Sequence, residues 1–183
     1  MTPAPALGDP MTVVGITGHR PSRIPDSEWL RVTLERQLLE MKADRVLLGL
    51  ADGVDQWAAA AAWRIGIPFT GVLPWRGHRR GSTAQDWCLQ QAELVVELNP
   101  SQNYPGPSVY HERNEWIVSN ADILLAVWDG KRSGGTFQTV RRALLQKMPL
   151  RQINPITREI SSFNMGVDEP SLFSALDNGG KGW

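Results

Sequence analysis

The chain has 183 residues and a mass of 20.3 kDa, a length suited to one domain. Lys and Arg total 19, matched by 19 Asp and Glu, so there is no basic surplus to hold a polyanion and no acidic surplus of the kind found in solvating tails. A hydrophobic share of 42% supplies a core, and the one cysteine, Cys88, excludes an internal disulfide and a thiolate metal cage.

The first ten residues carry three prolines and no periodicity, and are expected to form a flexible N-terminal tail over 1–10. They lack a basic segment followed by an apolar one, so no signal peptide is expected. The β-rich run 12–18 ends in glycine and predicts a buried strand. Asp26 or Ser27 can cap a helix that carries Leu30, Leu34, Leu38 and Met41 at helical spacing. A second strand is expected over 45–50, then an Ala-rich helix from Val54 to Ile65 closed by Gly66 and Pro68. A third strand follows over 69–74, expected at a sheet edge, with a helix over Thr83 to Gln91 and a strand over 93–98. Residues 99–110 are rich in turn formers, and a short helix is expected from Glu112 to Asn120. The strongest strand signal covers 122–130. The segment Ser133–Thr136 then leads into a helix with Phe137, Val140, Leu144 and Met148 on one face, and a last strand is expected over Arg151 to Ile156. The longest apolar run, Trp57 to Trp63, is far too short to cross a bilayer, so a cytoplasmic protein with no membrane partner is expected.

Strands alternating with helices predict an α/β fold with a parallel sheet covered on both faces. Ligands in such sheets bind beyond the carboxyl ends of the strands, at the switch in strand order. Those strand ends read Gly18–His19–Arg20–Pro21, then Ala51–Asp52–Gly53–Val54–Asp55, then Trp75–Arg76–Gly77–His78–Arg79–Arg80, and last Asp129 to Thr136. Together with Arg23 they gather seven of the 19 Lys and Arg, which points to an anionic small molecule such as a phosphate or nucleotide.

Each of these residues has two readings. Gly134 and Gly135 allow close backbone approach to a phosphate and Thr136 can donate a hydroxyl, but a tight turn before a helix needs the same residues. Asp52 and Asp55 suit a ribose hydroxyl or an amine, or else a helix cap. Arg76, Arg79 and Arg80 suit a phosphate clamp, a solvated loop or a partner subunit. Trp75 and Trp128 can stack on a base; the other tryptophans are expected to pack helices on the sheet. Glu112 and Glu115 can serve as acid or base with Arg113 stabilising negative charge, or can simply be acids in a helix's first turn. The histidines have no metal-ligand spacing, so no metal or cofactor is expected, and Cys88 reads as packing. Neither the Walker nor the dinucleotide fingerprint is present.

Four segments in order resemble the SLOG superfamily, in particular its YspA-type branch. They are Gly15–Ile16–Thr17–Gly18–His19–Arg20, Gly49–Leu50–Ala51–Asp52–Gly53–Val54–Asp55 with Ala58, Tyr110–His111–Glu112–Arg113–Asn114, and Ala121 to Gly130 followed by Ser133–Gly134–Gly135–Thr136. The superfamily also holds the LOG cytokinin-activating phosphoribohydrolases and the DNA-processing protein A fold. The resemblance implies a Rossmann-like three-layer fold with a mostly parallel sheet of five to seven strands, as one domain over 11–160 followed by a C-terminal extension over 161–183. It implies nucleotide-derived ligands and a homo-oligomer, a dimer or higher. One departure matters: Asn114 stands where LOG enzymes carry Lys, and Thr139 where they carry Glu. A hydroxyl does not replace a carboxylate as acid, base or cation stabiliser. The leading expectation is therefore a protein that senses or sequesters a nucleotide-derived small molecule. The alternatives are a LOG-type N-glycoside hydrolase using Arg113, Glu112 and Glu115, with Glu112, Glu115 or Asp55 in place of the missing carboxylate, and a single-strand DNA-binding module, which the zero net charge disfavours.

Overall fold

The computed structural model describes residues 10–79 and 81–163. Arg80, Trp183, nearly all of the expected N-terminal tail and most of the expected C-terminal extension lie outside the described residues. In chain order the elements are β1 (Val13–Gly18), α1 (Ser27–Glu40), β2 (Arg45–Leu48), α2 (Val54–Arg64), β3 (Phe69–Leu73), α3 (Thr83–Gln91), β4 (Leu94–Glu97), α4 (Ser108–Ser119), β5 (Ile123–Val127), α5 (Gly134–Leu145), β6 (Leu150–Ile153) and β7 (Ile160–Phe163). A single 3-10 turn, Pro21–Arg23, follows β1.

The seven strands form one sheet in the order β4-β3-β2-β1-β5-β6-β7. The first six run parallel, and β7 turns back antiparallel on β6 with Leu150 opposite Phe163. This is the expected α/β sheet with helices on both faces. Strand alternation divides the core: Val14 and Ile16 of β1 and Leu125 and Val127 of β5 pack with Leu30, Leu34 and Leu38 of α1, the alanines of α2 and Cys88 of α3. On the other face Leu124 and Ala126 pack with Val118 of α4 and Val140, Ala143 and Leu144 of α5. Burial pushes the Cys88 thiol up to about 12, in keeping with a packing role.

Local chemistry explains the boundaries. Asp26 caps α1 by accepting from the Trp29 amide at 2.9 Å, and Ser82 caps α3 by accepting from Gln85 at 3.2 Å. The helix expected from Glu112 begins at Ser108, directly after Pro107, so His111 and Glu112 lie beyond its first residues and Glu112 is no first-turn acid. β3 is interior, between β2 and β4, and the edge is β4. The sheet runs through residue 160, the expected domain end, because β7 crosses it. Trp29, Trp57, Trp87 and Trp116 pack against the cores as expected, whereas Trp63 is 52% exposed and meets Trp87 edge-on.

Gly18 ends β1 against the start of α2. A Cβ there would lie 2.4 Å from Val54 Cγ1 and 2.5 Å from its Cβ. Valine is stiff at χ1 and Val54 is fully buried, so it has no room to turn away. Gly18→Ala is expected to destabilise the fold by about 1–3 kcal/mol, read as a lower denaturant midpoint with unchanged slope. An unchanged midpoint would contradict this packing.

Candidate functional site

β1 lies between β2 and β5, so the chain leaves β1 toward one flank and β5 toward the other. The helices that follow them, α1 and α5, pack on opposite faces. This divergence opens a crevice at the carboxyl ends of the two central strands. A cleft of about 360 Å³ occupies it. The first loop contributes Gly18, His19, Arg20 and Arg23, and the second Ala51 and Asp55. Gly135 and Thr136 enter from the start of α5, and Tyr110, Arg113, Asn114 and Ile117 from α4.

His19 joins the two central strands. Its Nε2 lies 3.1 Å from Asp129 Oδ1, and its Nδ1 lies 3.5 Å from Thr136 Oγ1. With the proton on Nε2, the ring donates to the Asp129 carboxylate and accepts from the Thr136 hydroxyl; with it on Nδ1, Nε2 accepts from the Asp129 amide at 3.3 Å. Asp129 is shared further: Arg23 donates to its other oxygen at 3.1 Å and the Lys131 amide to Oδ1 at 3.1 Å. Burial pushes the Asp129 carboxyl up, but the Lys131 amide, His19 and Arg23 outweigh it and hold it below the usual range. For His19, burial dominates and lowers its pKa, against the opposing pull of Asp129.

Arg113 is the deepest cation of the cleft, 9% exposed. It donates to the Gly49 carbonyl at 2.7 Å and to Asn114 Oδ1 at 2.8 Å. A Cβ on Gly49 would lie 1.7 Å from the Arg113 guanidinium, so any side chain there would displace Arg113 from this position. Asp55, also buried, accepts from the Ala51 amide at 3.2 Å. Burial raises its carboxyl pKa, and the Arg113 charge and the Ala51 and Gly49 amides offset only part of that rise. Asp55 thus turns back on its own loop, and the residue at the cap position of α2 is Gly53, at φ +97°. A Cβ on Gly53 would meet the His19 carbonyl at 2.9 Å, so this glycine lets the first two loops touch. Asp52 lies at the rim, accepting from Arg20 at 3.3 Å and from Gln56 at 3.0 Å.

No side chain caps the amides at the start of α5, as at α2 and α4 and unlike α1 and α3. Gly134 has φ +84°, and nothing lies within 4 Å of a Cβ built on Gly134 or Gly135. Exposed amides at a helix N-terminus, open space above them and the arginines across the cleft make an environment suited to an anion.

Several expected site residues are elsewhere. Arg76 and Arg79 close on one carboxylate, Glu97 of β4, at 2.8 and 2.9 Å, and do not line the cleft. Those hydrogen bonds hold Glu97 below the usual carboxylate range. Trp75 packs among aromatic rings behind α4. Trp128 donates its indole N–H to the Lys131 carbonyl at 2.8 Å and stacks on Phe137, which fixes the loop after β5. Glu112 is exposed and does not line the cleft; Glu115 pairs with Arg142 in a separate groove between α4 and α5. Helix geometry explains the separation: residues one before and two after Arg113 point away from its face. Thr139 is buried in that groove's wall and donates to the Gly135 carbonyl at 2.9 Å, within its own helix.

Sequence reasoning missed Tyr110, Asn114 and Ile117 as lining residues. With Arg113 they stand at i, i+3, i+4 and i+7, one stripe of α4, and that spacing was the available signal. Among the described residues, no group of three or more His, Cys, Asp and Glu could hold a metal, and no helix is long and apolar enough to cross a membrane.

The sheet order and the helices on both faces define a Rossmann-like α/β fold, with the cleft at the strand switch. No protein-family model matches the chain. A UPF0398 protein of Bacillus cereus (strain B4264) is 25% identical over 155 residues, covering 73% of this chain and 83% of that protein. Among solved structures, DNA processing protein A is similar with a TM-score of 0.63, at 23% identity for Streptococcus pneumoniae and 21% for Helicobacter pylori. This chain is matched over 79% and 78% of its length, yet it spans only half of the first protein and 65% of the second. The molybdenum cofactor binding protein of Rippkaea orientalis is similar at 18% identity and a TM-score of 0.57, covering 92% of this chain and 85% of that one. These relatives and neighbours all fall in the SLOG/Rossmann-like group that the four segments resemble.

The buried His19 sets a sign for pH dependence. Its folded pKa lies below the unfolded value near 6.5, so it favours the fold fully above that value. The contribution is lost as the pH falls through 6.5 toward the folded pKa. The stability gap between the native chain and His19→Gln should therefore shrink from pH 7.5 to 5.5 in denaturant titrations. A constant or widening gap would contradict the assignment.

Proposed function

We propose that the chain binds a nucleotide or nucleotide-derived small molecule in the switch-point cleft, with the phosphate at the start of α5. The observation that carries the reading is the uncapped N-terminus at Gly134–Gly135–Thr136, open to a cleft that also holds Arg20, Arg23 and Arg113. Arg20 and Arg23 are partly exposed and paired to Asp52 and Asp129 at 3.3 and 3.1 Å. The Arg20–Asp52 pair is exposed on both sides and weak in water, so the Arg20 guanidinium can turn to an arriving phosphate, while Arg23 stays on the buried Asp129 carboxylate. A molybdenum cofactor and single-stranded DNA are the ligands named for the Rippkaea orientalis and Helicobacter pylori neighbours. A small molecule is the better fit to a cleft of about 360 Å³. The DNA reading is weakened further because Arg76 and Arg79 both bond Glu97, which cancels one of their two charges. The hydrolase reading loses Glu112 and Glu115, which lie outside the cleft, and Thr139, which bonds within its helix; the carboxylate left to it is Asp55, which lines the cleft but accepts from the Ala51 amide of its own loop.

Gly135→Asp tests this directly. Open space surrounds the position, and an acid in the first turn of a helix favours the fold. Calorimetry with AMP, GMP, CMP and UMP should find binding to the native chain, weakened about tenfold or more in the variant, with the nucleotide recovered intact. Equal binding by the variant, or none by the native chain, would overturn the proposal; release of free base would favour the hydrolase.

A further inference from the structure

Four aromatic rings lie together behind the α4 wall of the cleft, where a phosphate has no use for them. Trp75 at the end of β3 is their centre: His78 lies 4.4 Å away, Tyr104 5.2 Å and Tyr110 5.8 Å, centroid to centroid. Tyr110 also meets His78 at 5.7 Å and Tyr104 at 6.3 Å. The loops that carry the rings are pinned to each other. Arg76 and Gly77 donate backbone N–H groups to the Asn99 and Ser101 carbonyls at 2.8 and 3.1 Å. A Cβ on Gly77 would sit 1.9 Å from the Gln102 carbonyl oxygen, so the approach requires glycine. Trp75 is buried, while Tyr104 is 55% exposed.

Tyr110 is the one member of the group that also lines the cleft. It stands at the far end of the α4 stripe from Ile117, which touches β1 at Gly15. Seven residues of helix separate Tyr110 from Ile117, about 10 Å along the axis, the scale of an extended nucleotide. We infer that Tyr110, backed edge-on by Trp75 and His78 and flanked by Tyr104, is the wall that receives the planar heteroaromatic end of the ligand. The inference rests on the proposed binding at the start of α5 and adds which part of the ligand is recognised at the other end. A ring held by its neighbours offers a pre-formed face at little ordering cost, and stacking tolerates any base because every base has a π-face.

The test compares AMP with ribose 5-phosphate, which keeps the phosphate and sugar and lacks the base, by calorimetry on the full chain. The native protein should bind AMP about tenfold or more tightly than ribose 5-phosphate. Tyr110→Ala should lose most of that ratio with ribose 5-phosphate affinity unchanged, and Tyr110→Phe should retain it. Tyr104→Ala, at an exposed position, should lower the ratio without loss of thermal stability, and serves if Tyr110→Ala does not fold. A native chain that binds both ligands equally, or variants with the native ratio, would overturn the inference alone. Failure of the native chain to bind either ligand would overturn the phosphate site as well.

Discussion

β1 and β5 are hydrogen-bonded neighbours whose connections depart to opposite flanks of the sheet. Everything at the site depends on that divergence. Two parallel strands must both be covered by helices, and when those helices take opposite faces no element can fill the space above the strand ends. Residues far apart in the chain are forced to meet there. His19 from the first loop, Asp129 after β5 and Thr136 in α5 form one hydrogen-bonded unit. Because its parts sit on strand ends and a helix start, the unit is held by the sheet itself and not by a mobile loop.

The zero net charge conceals a sorting of cations. Arg76 and Arg79 both bond Glu97 and so join the loop after β3 to β4, away from the cleft. Arg20 pairs with Asp52 at the rim of the cleft, where an exposed ion pair contributes roughly 0–1 kcal/mol and exchanges partners readily, while Arg23 is held on the buried carboxylate of Asp129. Arg113 is buried, fixed by the Gly49 carbonyl and by the absence of a side chain at Gly49. The three groups have the same formal charge and different availability. A neutral chain can therefore keep an exposed cation at one edge of the sheet while Arg76 and Arg79 join two of its loops.

Much of this was legible in the sequence. The alternation of strands and helices, the four loop segments and the position of Gly134–Gly135–Thr136 at a helix start all follow from short-range pattern. What was not legible depended on distant partners. Nothing near Arg76 reveals that Glu97, 21 residues on, takes both arginines. That β3 is interior follows from where β4 pairs, which its own residues do not encode. The start of α4 was read late because Pro105, Gly106 and Pro107 look like continuous turn, whereas Pro107 borders the helix. The expected later start leaves Tyr110 in the loop, whereas Glu112 and Glu115, one before and two after Arg113, lie off its face wherever the helix begins. β7 escaped notice because its residues are mostly exposed and lack the alternation that marks a half-buried strand.

The central claim is that the opening between β1 and β5 is a site for a phosphorylated, base-bearing small molecule. A crystal structure of the protein with a bound nucleoside monophosphate tests it most directly. The account predicts phosphate oxygens within hydrogen-bonding distance of the Gly135 and Thr136 amides and the base against Tyr110. Density for the nucleotide on Arg76 and Arg79, or in the α4–α5 groove beside Glu115, with the cleft filled only by water, would contradict it.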